Sequence, residues 1–181
     1  PSLTDEAAAF FDGEVRGACS RVLSTPIDDA TWALLTMPAS MGGQGLTSAA
    51  VTRHAAHYAS WAASWGHITA TFCCLPDVDL DTSPLPFAVG LRAAHRRVEA
   101  ACTALSDNIN GHPLPPHAPS NPAVPDPSDL STPLPHAQKR LAAVVHGARW
   151  LDCFDGASES HRSIMLSSSK QGAQFAFTAV P

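Results

Sequence analysis

A proline-rich segment, residues 111–135, constrains this chain more than any other feature, because nine of its 16 prolines lie there. Proline has no amide hydrogen to donate, and its ring clashes with the preceding turn of a helix. Neither a regular helix nor a central strand can therefore cross the segment. The sequence predicts an extended loop or linker at 111–135, between a first region at 1–110 and a second region at 134–181.

Apolar residues on both sides of this segment recur at helical spacing. Residues 1–110 contain four such runs, the first with an apolar stripe of Phe10, Phe11, Val15, Ala18 and Val22. Two more runs follow at 136–154 and near 162–167, before an apolar tail. The pattern predicts a mostly α-helical fold, an irregular bundle of about five or six helices with a proline-rich loop. Residues 67–75 fit either a strand or a helix end, which leaves room for one short strand pair.

Short polar side chains mark where the predicted helices begin. Thr4 or Asp5 is the expected N-cap of the first helix, and Thr47 or Ser48 that of the third. For the second helix we expect Thr25 as the N-cap and Pro26 at the first helical position, where a missing amide hydrogen does no harm.

Charge argues against a protein whose main task is to grip nucleic acid. The chain has 11 basic and 16 acidic residues and a net charge of −5, whereas such proteins present a basic face to the phosphates. The nearest basic cluster is Arg92, Arg96 and Arg97, from which we expect only weak phosphate contacts.

The cysteines and the hydropathy indicate the cellular setting. Five cysteines, odd in number and scattered, are typical of reduced thiols in an intracellular protein, nuclear or cytoplasmic. No apolar run approaches the 18 residues of a membrane span, so no membrane partner is expected. Because the chain begins at Pro1 rather than methionine, we expect it to be part of a longer polypeptide.

Three glycines, Gly42, Gly43 and Gly45, directly precede the third predicted helix. The stretch GQGLTS (43–48) comes within one residue of a dinucleotide-binding fingerprint, with Asp77 as the ribose-binding acid. That fingerprint should follow a buried strand, whereas the preceding residues read as a capped helix ended by Pro38. The preferred interpretation is a sharp turn in which glycine permits positive φ and close backbone approach. Leu46 is then the buried plug.

No other pattern amounts to a metal or catalytic site. His54 and His57 could share a helix face, and His67 with Cys73 and Cys74 could form a second fragment, but zinc needs three or four ligands. The acids Asp77, Asp79 and Asp81 lack the glycine and distal glutamate of a calcium loop. No nucleophile elbow is present. We therefore expect no catalytic residue, no metal and no cofactor in this segment.

Three motifs, in order, resemble one known family. MPASMGGQGLTSAA (37–50) resembles the glycine-rich segment downstream of the polymerase domain in reverse transcriptases of non-LTR (LINE-type) retrotransposons. HAAHYASWAAS (54–64) is similar to the run that follows it there, and MLSSSKQGAQFAFTAVP (165–181) to a later motif. The resemblance covers residues 30–181, densely at its two ends. Its motif positions are Pro38, Gly42, Gly43, Gly45, Leu46, Tyr58, Trp61, Gly172, Ala173, Phe175 and Pro181.

The resemblance implies a non-catalytic helical connector, thumb-like at its start, that packs on the polymerase and helps to seat the template–primer duplex. The paired aspartates that hold Mg²⁺ would lie upstream in the parent RNA-directed DNA polymerase. Its partners would be the rest of the parent polyprotein and, through it, RNA and DNA. At 172–177 the chain reads GAQFAF, which keeps an aromatic anchor but loses one of the family's glycines.

Two alternative functions remain at this stage. The low charged fraction, 15%, and the small-residue helix face at 55–62 are typical of a helical scaffold that binds a protein partner, including a domesticated remnant of the element. A small nucleotide-binding enzyme using the glycine loop is the third hypothesis.

Overall fold

The computed structural model describes residues 3–72, 78–108, 124–125, 130 and 136–168. Its elements, in chain order, are α1 (Leu3–Leu23), α2 (Asp29–Leu35), a 3-10 turn (Ala39–Met41), α3 (Ala49–Thr71), α4 (Pro86–Asn108), α5 (Ala137–Gly156) and α6 (Glu159–Ser168). No strand occurs in these ranges, so the prediction of a mostly α-helical bundle is confirmed. Residues 67–71, which the sequence left open, are the last turns of α3.

The caps match the prediction for α3 but not for α2. Ser48 is the N-cap of α3 and accepts a hydrogen bond from the Val51 amide at 3.2 Å. The prediction for α2 is wrong, because the N-cap is Asp28, whose carboxylate accepts from the Thr31 amide at 2.7 Å. The preceding backbone is held away from helical pairing by Arg16, whose Nε donates to the Ile27 carbonyl at 2.9 Å. The helix therefore begins at Asp29.

Helices α3, α4 and α5 pack around one apolar cluster. The small face of α3, with Ala55, Ala59 and Ala62 buried, lets neighbouring backbones approach closely. Larger side chains fill the space beside it, among them Leu91 and Val98 of α4 and Leu141 of α5. The small-residue face that the sequence offers to a neighbouring helix is thus occupied within this chain.

A second cluster joins the turn before α3 to the end of the bundle. Met37 and Met41 from the turn pack with Trp150 of α5 and Met165 of α6, and all four are nearly inaccessible to solvent. Trp150 stacks on Phe154 with ring centroids 4.8 Å apart. The glycine-containing turn is therefore anchored by methionines on its N-terminal side.

Helix α1 turns a different face inward from the one that the sequence predicts. Phe10 is 72% exposed, Phe11 52% and Val22 83%, whereas Ala8 and Asp12 are buried. The prediction of an inward stripe is wrong because the carboxylate of Asp12 is bound by the start of α3, which fixes the rotation of α1. Phe10, Phe11 and Val22 are left exposed, whereas Val15 and Ala18 are half-buried.

Part of the predicted linker at 111–135 touches the helical core. Val124 and Leu130 pack against the cluster formed by α3, α4 and α5. The hydroxyl of Tyr58 donates to the Pro125 carbonyl. These contacts hold the described part of the segment, which the sequence predicts as an extended loop, against the bundle.

Candidate functional site

The backbone amides of the glycine turn, residues 42–46, are hydrogen-bonded to carbonyls of the same turn and of α2. Each amide from Gly42 to Leu46 donates to a backbone carbonyl, in turn those of Ala39, Pro38, Leu34, Met37 and Leu35, at 2.9–3.3 Å. A phosphate-binding loop instead aims a row of free amides at its ligand. The turn therefore joins α2 to α3 and offers no such row.

The backbone geometry of this turn requires glycine at three positions. Gly42 and Gly45 have φ of 88° and 76°, in the left-handed region that favours glycine. At Gly43 an added Cβ would lie only 2.0 Å from the Met37 carbonyl oxygen, so no side chain fits. Leu46, the predicted plug, is half-buried, and Met37 and Met41 fill the adjacent core instead.

The other motif residues serve packing where they are described. Tyr58 is fully buried, with its ring centroid 5.2 Å from that of His95. Trp61 stacks on Phe87 of α4, with centroids 5.2 Å apart and planes 16° from parallel. Gly172, Ala173, Phe175 and Pro181 lie outside the described residues.

The three arginines expected to touch phosphate have different surroundings. Arg92 donates to the carbonyls of Leu80 and Ser83, at 2.6 and 2.9 Å, and so ties the loop before α4 to that helix. Arg96 is exposed and makes no described contact of this kind. Arg97 is exposed and lines a cleft between α1, α3 and α4.

This cleft brings charged side chains from three helices to one concavity. Its cavity volume is about 690 Å³, within the range of small-molecule sites. We call it the α1–α3–α4 cleft. Its lining residues are Thr4 and Asp5 of α1, Arg53, His54 and His57 of α3, and Pro86, Val89, Gly90, Ala93 and Arg97 of α4.

Hydrogen bonds fix part of this lining. Arg53 pairs with the Asp5 carboxylate at 2.7 Å, and its Nε donates to Nε2 of His54 at 3.2 Å. An Nε2 that accepts this bond carries no proton, so the contact favours the neutral imidazole with its proton on Nδ1. Burial, followed by the nearby charge of Arg53, lowers the pKa of His54, which also favours the neutral form.

Sequence reasoning found some of these residues but not the cleft. His54 and His57 do line one cavity, as their spacing on a helix predicts, but no three His, Cys, Asp or Glu side chains of the described residues come together as metal ligands. Among the predicted acids, Asp79 accepts from the Asp81 amide and the Thr82 hydroxyl, a local turn. Cys73, Cys74 and Asp77 lie outside the described residues.

Helix α5 carries polar atoms that are buried without partners. Nδ1 of His146, an Nη of Arg149 and Nε1 of Trp150 have no hydrogen-bond partner among the described residues. The free thiols of Cys102 and Cys153 are poor nucleophiles, because burial raises the pKa of both. These groups therefore do not form a nucleophilic site.

Comparison with known proteins does not identify the chain. No protein-family model matches it, and neither a curated protein nor a solved structure shows significant similarity to it. Of the helices in the described part of the chain, none combines the length and the apolar character needed to cross a bilayer.

Proposed function

We propose that this chain is a non-catalytic helical connector of the kind found in LINE-type reverse transcriptases, and that it packs on the polymerase part of a longer polypeptide. The observation that carries the proposal is the partly exposed apolar stripe of α1, defined as Phe11, Val15, Ala18 and Val22. These positions recur at intervals of four, three and four residues and so share one side of the helix.

The stripe is well suited to a permanent partner. Two of its side chains, Phe11 and Val22, are more than half exposed, and Phe10 lies beside them with 72% of its surface free. Burying a side chain of this size stabilises an interface by about 1.5–3 kcal/mol. Large apolar side chains left exposed on a folded helix are candidates for an interaction site.

The rest of α1 supports a surface presented for a partner. Asp12 and Ala8 hold the adjacent side of the helix, about 70° around from the centre of the stripe, against α3. Phe11 and Val22 are therefore exposed on an element that the chain itself fixes, and little ordering of the backbone would accompany docking. In this proposal Mg²⁺ and the template–primer duplex are bound by the polymerase part.

Two experiments test the proposal. The reading frame upstream should encode a polymerase within about 250 residues, a distance set by typical domain sizes. Its paired aspartates should lie in a turn of sequence Y/F-x-D-D. That polymerase segment, expressed separately, should form a stoichiometric complex with this chain in size-exclusion chromatography. Phe11→Asp with Val22→Asp should abolish the complex, whereas Ile164→Asp, at an exposed apolar position of α6, should leave it intact.

A helical protein-interaction module is the second candidate, because the same stripe serves any apolar partner. The identity of the partner distinguishes the connector from the interaction module. A stoichiometric partner protein that is not a polymerase, bound through the stripe, favours the module, and binding to the polymerase segment favours the connector. The nucleotide-binding alternative gains no support from the turn, whose amides are all used internally.

A further inference from the structure

We propose that the α1–α3–α4 cleft is a phosphate-binding site. The inference goes beyond the connector function, because it concerns a different surface from the α1 stripe. Either proposal, the connector function or the phosphate site, can fail without the other.

The cleft carries more positive than negative charge in a chain whose net charge is −5. Its one carboxylate, Asp5, is 2.7 Å from Arg53. Arg97 has no carboxylate partner among the described residues, and neither has His57. A guanidinium without a partner in a concave wall is suited to an anion with several acceptor oxygens.

The positive groups line the cleft from two helices. Besides burial, which is the largest cause, the charges of Arg53 and Arg97 both lower the pKa of His54. Arg53 and Arg97 come from different helices, α3 and α4, and line the same cleft as His54. A phosphate in the cleft would be contacted by Arg97 of α4, and Arg53 of α3 would add to the positive potential around it.

Two helix starts reinforce the positive potential. The first turn of α1, with Thr4 and Asp5, and the first turn of α4, with Pro86 and Val89, both border the cleft. The positive ends of two helix dipoles favour a negative group there. Their effect adds to that of the arginines.

Gly90 keeps the cleft open. A Cβ at this position would lie 3.4 Å from Cε1 of His57, so a longer side chain would enter the space beside that ring. The volume, about 690 Å³, exceeds that of a phosphate alone. The site therefore has room for the group that carries the phosphate.

Binding to the whole chain can be measured by isothermal calorimetry and NMR titration with three probes. Inorganic phosphate and a nucleoside monophosphate test a free or terminal phosphate, and a short oligonucleotide without terminal phosphate tests a phosphodiester backbone. Saturable binding of at least one probe is expected. The tightest probe identifies the source of the phosphate, and any of the three supports the shared chemistry.

Matched variants tie the binding to this cleft. Arg97→Gln should weaken the tightest probe about tenfold, as loss of a charge-assisted contact does. Arg96→Gln, next to it but outside the cleft lining, should change the affinity less than about twofold. Gly90→Leu should also weaken binding, because its side chain occupies the cleft. No saturable binding by any probe, or equal affinities for the two arginine variants, would overturn the proposal.

Discussion

Asp12 of α1 and Ser48 at the start of α3 are joined by a buried hydrogen bond, in which the serine Oγ donates to the carboxylate Oδ2 at 2.5 Å. The other carboxylate oxygen accepts from the Ala49 amide at 2.8 Å. The serine Oγ in turn accepts from the Val51 amide. One acid thus extends the capping of α3 from a helix 36 positions earlier in the chain, and sets which side of α1 faces outward.

Removing this acid should destabilise the bundle strongly. Asp12→Ala leaves the Ala49 amide and the Ser48 hydroxyl without their buried acceptor, and should lower the free energy of unfolding by about 3 kcal/mol. Ser48→Ala should cost about 1–2 kcal/mol. In urea unfolding the double variant should lose less than the sum, because both changes break the same bond. Strict additivity would contradict the coupling.

The glycine turn should tolerate no side chain at Gly43. Gly43→Ala places a Cβ 2.0 Å from the Met37 carbonyl oxygen and should lower the thermal midpoint sharply or prevent folding. Gly13→Ala is the matched control, since nothing lies within 4 Å of its Cβ. This change should stabilise α1 by about 0.5–1 kcal/mol. Similar effects of the two changes would show that the turn is not tightly packed.

The hydroxyl of Tyr58 should hold the described part of the proline-rich segment on the bundle. Tyr58→Phe removes the donor to the Pro125 carbonyl and should cost about 1 kcal/mol. Hydrogen exchange should accelerate at the Val124 and Leu130 amides. The exchange rates of the α4 and α5 amides should change only as much as the loss of global stability accounts for. Unchanged exchange at 124 and 130 would show that apolar packing alone retains them.

Mild acid should destabilise the fold through two histidines. Burial lowers the pKa of His54 and of His146 below the ordinary value of 6.5. The unfolded chain therefore binds protons at a higher pH than the folded chain, and stability is lost as pH falls from about 6.5 through the lowered pKa values. Urea midpoints at pH 7.5 and 5 should differ, and His146→Gln should reduce the difference. A midpoint independent of pH in this range would contradict the burial.

Regular patterns in the sequence predicted much of the fold. The apolar periods of α4 and α5 identify residues that are buried, such as Leu91, Val98, Leu141 and Leu151. Ser48 is recognisable as a cap from its position before an apolar run, and the glycines as a turn. These features depend on short stretches of chain, in which spacing and backbone geometry decide the outcome.

The rotation of α1 could not be read from periodicity. An apolar stripe such as that from Phe11 to Val22 looks the same whether it meets this chain or another one. The deciding residue is Asp12, a polar side chain that becomes buried only because α3 begins beside it. The α1–α3–α4 cleft is equally non-local, since Asp5, Arg53 and Arg97 meet only after three helices have packed.

Hydroxyl-radical footprinting of Phe10 and Phe11 tests the connector proposal most directly. Both side chains should react readily in the isolated chain, and should be protected several-fold when the upstream polymerase segment is joined to it, because burial removes them from solvent. Phe72, 56% exposed at the end of α3, is the internal reference. Protection of Phe10 and Phe11 relative to Phe72 is the predicted result. Equal reactivity of all three in the longer polypeptide would contradict the account.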